Sequence, residues 1–147
     1  MDGLMIISNA SPGDVTFDSD RGSWNISRAR EDCEAGLHGT PYAHDMAGVI
    51  DANERVDVDE LKIASMVANV ELLAQAPPLI FVEEGEIDGR PIIWLIDGHH
   101  RVRALHRLGV PRCVGWVIAE SKSRPYRIYY NGDRVAPWLR QKARRIK

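Results

Sequence analysis

A buried strand that runs through one glycine directly into a helix is the feature that most constrains the fold of this chain. Residues 91–96 (PIIWLI) are almost continuously apolar, which is typical of a strand covered on both faces. Asp97 and Gly98 follow, and apolar residues then recur at helical spacing as far as Leu108. The sequence therefore predicts a strand, a tight turn and a helix over residues 91–108.

The first turn of that helix has the composition of an anion site. The first amide N–H groups of a helix lack partners within the helix, and the helix dipole places partial positive charge there. A glycine lets the backbone approach an oxyanion closely, and an arginine fork matches the geometry of phosphate. We predict phosphate binding by Gly98, His99, His100 and Arg101, with charge support from Arg103 and Arg107.

The same turn holds the candidate catalytic groups. A histidine beside a phosphate can donate a proton or stabilise developing charge, so we predict catalytic roles for Asp97, His99 and His100. Asp97 can orient a histidine, hold Mg²⁺ together with phosphate oxygens, or cap the helix, and the residues alone leave these roles open. Adjacent histidines diverge by about 100° on a helix, so a shared zinc ion is not expected.

The pattern between residues 58 and 119 gives the order helix, strand, hairpin, strand, tight turn, helix, strand. Asp88 and Gly89 form an Asp-Gly pair, which is a strong hairpin signal between the first two strands. Short connections between mixed elements favour a compact α+β domain (an α/β mixed sheet). The predicted elements are helices over 58–75 and 99–108 and strands over 79–83, 91–96 and 113–119.

Patterns outside this region predict less regular structure. We expect a short strand near residues 4–7, an extended piece at 24–26, and loops with one short helix over 28–50. A last strand is predicted at 126–130, and a basic helix at 138–146. The predicted organisation is an N-terminal extension, residues 1–50, packed on a domain of residues 51–133, and a basic C-terminal tail or helix, residues 134–147.

Charge is distributed unevenly along the chain. Residues 1–60 carry 13 acidic and 4 basic side chains, whereas residues 134–147 carry 6 basic side chains and no acidic one. Such a tail can contact DNA or RNA, can contact the acidic front half of the chain, or can be a solvated terminal helix. The candidate nucleic-acid contacts are Arg140, Lys142, Arg144 and Arg145.

Composition predicts a cytoplasmic protein with no membrane contact. No apolar run approaches the roughly 20 residues that span a bilayer, and Asp2 stands where a signal peptide carries positive charge. Cys33 and Cys113 are too few and too far apart for a disulfide framework, so we expect two reduced, partly buried thiols. Cys113 lies in an apolar segment, where burial raises the pKa of a thiol and makes it a poor nucleophile.

Residues 96–105 (IDGHHRVRAL), followed by residues 108–111 (LGVP), resemble the signature of the ParB/sulfiredoxin superfamily. The resemblance covers about residues 55–119. It implies a ParB/sulfiredoxin-like fold, to which this chain adds a basic C-terminal helix. It also implies that the motif turn holds the phosphates of a nucleotide.

Different branches of the superfamily match different residues of the motif. ParB partition proteins, which bind and hydrolyse CTP and clamp on DNA, are similar at Gly98 and Arg101. Free-serine kinases are similar at Asp97, Gly98, His99 and Arg101, and in them an acidic residue ahead of the motif acts as a base. Candidates for that residue are Glu54, Asp57, Asp59 and Glu60. Small stand-alone ParB-like proteins are assigned nuclease and nucleotidase activity.

The resemblance therefore implies a nucleotide-phosphate-binding protein that acts as a phosphotransferase, nucleotidase or nuclease. The implied ligand is a nucleoside triphosphate or diphosphate of the ATP or CTP type, bound with Mg²⁺. The alternative is a non-catalytic module that keeps the fold and binds DNA, RNA or protein. A homodimer is compatible with either function.

Overall fold

A computed structural model describes residues 10–19, 22–53 and 56–128 of the chain. The described strands are β1 (Thr16–Ser19), β2 (Gly22–Asn25), β3 (Tyr42–Asp45), β4 (Leu79–Ile87), β5 (Arg90–Asp97) and β6 (Arg112–Ile118). The described helices are α1 (Ile26–Glu34), α2 (Met46–Ala52), α3 (Glu60–Ala68), α4 (Val70–Ala74), α5 (His99–Arg107) and α6 (Glu120–Ser123), and a 3-10 helix follows over Arg124–Tyr126.

Four of these strands form one mixed sheet in the order β3-β6-β4-β5. β6 pairs antiparallel with β3 and parallel with β4, and β4 pairs antiparallel with β5. The hairpin between β4 and β5 turns at Asp88 and Gly89, as predicted. The prediction of an α+β fold with a mixed sheet is confirmed. Segment 1–50, predicted as an extension packed on the domain, supplies the edge strand β3.

Alternation along the central strand β4 divides the core between the two faces of the sheet. Ile80 and Val82 face α1 and pack with Trp24, whereas Leu79 and Phe81 face the side that holds α2 and α5. α1 and α5 therefore reach the end of β5 from opposite faces of the sheet. The candidate site lies at that end.

The predicted single helix over residues 58–75 is wrong in one respect, because it is two helices. Asp59 caps the start of α3, and its side chain accepts hydrogen bonds from the amides of Leu61 and Lys62. Asn69 then leaves the helical conformation, with φ −125° and ψ 63°, and α4 begins after it. After this break, Leu73 packs in the core with residues of α3 and α5.

The prediction of loops and one short helix over residues 28–50 is also wrong, since the segment holds α1, β3 and the start of α2. α1 is a polar helix with a narrow buried face of Ile26, Ala29 and Cys33. The Asn25 side chain caps it by accepting from the amide of Arg28. The extended piece predicted at 24–26 is the end of β2, and Ile26 already belongs to the helix.

Several further predictions concern the ends of the chain. The strand near residues 4–7 and the basic helix at 138–146 lie outside the described residues. Instead of starting a strand, Tyr126 ends the 3-10 helix, and Arg127 makes an isolated β-bridge with Trp24. Both cysteines are buried and free, as expected. In the part of the chain that the structure describes, no helix has the length and apolar character needed to cross a membrane.

Candidate functional site

The turn between β5 and α5 has a backbone that only glycine adopts without strain. Gly98 has φ 106° and ψ 24°, in the left-handed region that side chains disfavour. A Cβ atom at this position would overlap with Cδ2 of Leu79, a buried core residue. The turn is therefore packed directly on the core, which fixes the position of the first amides of α5.

Those amides have no side-chain cap among the described residues. The first hydrogen bond of the helix runs from the amide of Val102 to the carbonyl of Gly98, at 2.9 Å. The amides of His99, His100 and Arg101 precede that bond and are the donors that a helix leaves without internal partners. The first turn also contains no acidic residue, so its partial positive charge is not offset locally.

The side chain of Arg101 lies over the same turn. Its Nη2 atom is 3.0 Å from the position that a Cβ of Gly98 would take, and its Nη1 donates to the carbonyl of Pro77. Burial lowers the pKa of the Arg101 guanidinium; Asp97 opposes this shift, and Arg30 adds to it. Arg101 therefore shares a partly buried space with one acidic and one further basic side chain.

Arg30 is the functional candidate that the sequence did not reveal. It reaches the turn from α1, where its Nη2 donates to the carbonyl of Pro78 at 2.9 Å and pairs with the Asp97 carboxylate. Within the described residues its buried Nη1 has no hydrogen-bond partner, and Oε1 of Glu34 lies 3.9 Å away. No periodicity in the sequence points to Arg30, because the contact depends on how α1 packs on the sheet.

His99 lies at the turn but is buried beneath β1, which pairs antiparallel with β2. It is 8% exposed, and its ring stacks on Phe17 with centroids 4.6 Å apart. Burial lowers the pKa of His99 to about 4, although a hydrogen bond to the backbone of Leu95 opposes that shift. The ring is therefore neutral at pH 7. The single N–H of the neutral ring is used in the hydrogen bond to Leu95, so the buried Nε2, which has no partner among the described residues, carries no proton and cannot donate to a phosphate.

The side chain of His100 points away from the turn, toward the start of α3. Its Nε2 accepts a hydrogen bond from the amide of Asp59 at 3.0 Å. Burial, together with the nearby Lys62, lowers the pKa of His100, and Asp59 opposes that effect. The ring therefore joins α5 to the start of α3, and only the backbone amide of His100 remains at the turn.

The two arginines predicted as charge support lie farther along α5, and their side chains contact other partners. Arg103 donates to the carbonyl of Asn53 at 3.0 Å, and Arg107 pairs with Glu60 at the start of α3. Among the candidate bases, Asp59 caps α3 and Glu60 is engaged by Arg107, whereas Asp57 is exposed. Glu54 lies outside the described residues, as do the predicted nucleic-acid contacts Arg140, Lys142, Arg144 and Arg145.

Asp97 alone supplies too few ligands for a cation, which needs several oxygen ligands. Asp97 is the carboxylate that adjoins Gly98, and one of its oxygens is paired with Arg30. Within the described ranges, no group of three or more histidine, cysteine or acidic side chains is placed to hold a metal ion. The predicted Mg²⁺ at Asp97 would therefore depend on phosphate oxygens for its other ligands.

No protein-family model matches the chain, and no curated protein matches it either. The superfamily resemblance therefore remains a prediction.

Proposed function

We propose that the turn at Gly98 binds the phosphate groups of a nucleotide. The observation that supports this most is the convergence of Arg30, Arg101 and the uncapped start of α5 on a backbone packed against the core. Each contributes positive charge or N–H donors, and phosphate needs both.

The charge balance at the turn favours an anionic ligand. At the turn, Arg30 and Arg101 bring two positive charges and Asp97 returns one negative charge, while the exposed Glu34, 3.9 Å from Arg30, offsets a further part from α1. Like charges in a partly buried space repel each other more strongly than in water. A phosphate beside them would offset this repulsion, so the ligand itself completes the electrostatics of the site.

The residues take distinct roles in this proposal. The amides of His99, His100 and Arg101 donate to phosphate oxygens, and the Arg101 side chain adds a fork of donors. Arg30 positions Asp97 through their ion pair. Asp97 is the side chain at the turn that can hold the Mg²⁺ that accompanies a nucleotide. A phosphotransferase, nucleotidase or nuclease is the proposed enzyme class.

The state of two of the three acid–base candidates favours a second function, a non-catalytic phosphate-binding module. His99 is buried and neutral with a pKa of about 4, and Asp97 is engaged by Arg30. In this alternative the turn binds a nucleotide or a nucleic-acid phosphate without turning it over. Product formation from bound ATP or CTP distinguishes the two functions.

Removing the Arg101 fork should weaken nucleotide binding by roughly 10- to 100-fold. A hydrogen bond to a charged group contributes about 1.5–3 kcal/mol, and about 1.4 kcal/mol corresponds to a factor of ten. Isothermal titration of the full chain with ATP, CTP and ADP in the presence of Mg²⁺ measures this for wild type and Arg101→Gln. Arg107→Gln is the matched control, because Arg107 is on the same helix but paired with Glu60. Equal losses in both variants, or no binding by wild type, would contradict the proposal.

A further inference from the structure

The C-terminal end of α1 positions a histidine next to a buried tyrosine. The helix ends in a Schellman motif, in which the amide of Gly36 donates to the carbonyl of Cys33 and that of Leu37 donates to Asp32, both at 3.1 Å. The chain then turns back, and His38 reaches Tyr126 at the end of the 3-10 helix. The two rings meet edge to face, with centroids 5.5 Å apart.

Three side chains form a continuous hydrogen-bond chain at this place. The hydroxyl of Tyr126 donates to Oδ2 of Asp32 at 2.6 Å, and Nε2 of His38 lies 2.6 Å from the same hydroxyl. A tyrosine hydroxyl has one hydrogen, and here it is donated to the Asp32 carboxylate. Nε2 of His38 must therefore carry a proton and donate to the tyrosine oxygen, which fixes the tautomer of the ring.

The second nitrogen of His38 makes this chain sensitive to protonation. Nδ1 is buried and has no hydrogen-bond partner in the part of the chain that the structure describes. Adding a proton there would bury an N–H group without an acceptor, which is costly. Burial lowers the pKa of His38; Asp32 opposes the shift, and Lys122 on α6 adds to it. Cys33 and Arg28 of α1 also act on Tyr126, and Arg124 and Arg127 adjoin it along the chain.

The hydrogen-bond chain ties α1 to residues 124–128, which we call the docked segment. Tyr126 is 3% exposed within it. The next residue, Arg127, lies over the Trp24 ring at 4.7 Å and pairs with Glu84. The amide of Ile128 donates to the carbonyl of Ser23 at 3.0 Å. The docked segment therefore packs on α1 and on β2, immediately before the stretch that leads to the basic residues 134–147.

We propose that Asp32, Tyr126 and His38 form a pH-sensitive latch, in which neutral His38 holds the docked segment on α1 and protonation releases it. The latch is complete above the ordinary histidine pKa of 6.5. Its contribution is lost as the pH falls from there through the lower pKa of the folded protein, because the released state binds the proton more tightly. The latch couples acidity to the attachment of the segment that precedes the basic tail.

Two NMR measurements on the full chain test the latch together. Titration of the His38 ring should give a pKa below 6.5. Hydrogen exchange of the Ile128 amide, corrected for its intrinsic pH dependence, should show a protection factor that falls on acidification. The expected fall is about tenfold for each unit by which the measured His38 pKa lies below that of a free histidine.

Matched variants separate the latch from general acid sensitivity. His38→Gln keeps a neutral donor for Tyr126 but cannot titrate, so its Ile128 protection should be independent of pH between 7.5 and 5. His44→Gln replaces a histidine outside the latch, on β3, and should behave as wild type. Tyr126→Phe removes the shared hydroxyl and should lower the protection of the Ile128 amide both at pH 7.5 and at pH 5. A His38 pKa at or above 6.5, or a His38→Gln variant as pH-sensitive as wild type, would overturn the proposal.

Discussion

The Gly98→Ala variant is expected to lose about 2–5 kcal/mol of the free energy of unfolding. The left-handed backbone alone costs an alanine roughly 1–2 kcal/mol. The added methyl group would also overlap with Leu79, and overpacking a core costs about 1–3 kcal/mol. Urea unfolding followed by circular dichroism measures the loss.

Gly109→Ala is the matched control for that variant. Gly109 follows α5 with φ 76°, and a Cβ there would meet no atom within 4 Å. This variant should lose only the backbone contribution of roughly 1–2 kcal/mol. If the two alanine variants are equally stable, the turn at Gly98 is not packed on the core as described here.

Acidification from pH 7 to pH 4 is expected to cost about 3 kcal/mol of stability through His99 alone. The pKa of this buried ring is lowered to about 4 from the ordinary 6.5, and each unit corresponds to about 1.4 kcal/mol. The unfolded chain binds a proton below pH 6.5, whereas the folded chain does not until about pH 4. Stability is therefore fully present above 6.5 and is lost through this window as the pH falls.

Substituting His99 isolates its share of the acid sensitivity. Urea unfolding at pH 7 and pH 4 gives the stability difference for wild type and for His99→Gln. The difference should be about 3 kcal/mol smaller in the variant, because glutamine does not titrate. His106→Gln, in the exposed last turn of α5, should leave it unchanged. An equal difference in wild type and His99→Gln would show that His99 titrates normally.

Local patterns were sufficient to predict the elements between residues 79 and 118, but not α6 or the 3-10 helix that follow. The hairpin between β4 and β5, the helix after Gly98 and the last strand of the sheet follow from apolar periodicity and from one Asp-Gly pair. α1 was not predictable, since a helix with only three buried residues shows a weak period. The break at Asn69 was also missed. It accompanies the packing of Leu73 in the core, which is a tertiary contact that no local pattern shows.

The candidate site divides in the same way between local and long-range determinants. Gly98 and Arg101 belong to one contiguous turn, whose position between a strand and a helix could be predicted from the sequence. Arg30 is 67 positions from Asp97, and only the packing of α1 brings them together. The orientations of His99 and His100 depend on Phe17 and on the amide of Asp59, which no sequence pattern relates to the motif.

The positions of the responding amides in a phosphate titration test the central claim most directly. Two-dimensional ¹H–¹⁵N NMR spectra of the full chain would be recorded with increasing pyrophosphate and, separately, with ATP and Mg²⁺. The largest shifts are expected at the amides of Gly98, His99, His100 and Arg101, and these shifts should saturate together. Shifts confined to other parts of the chain, or no saturable shift at these four amides, would contradict that claim.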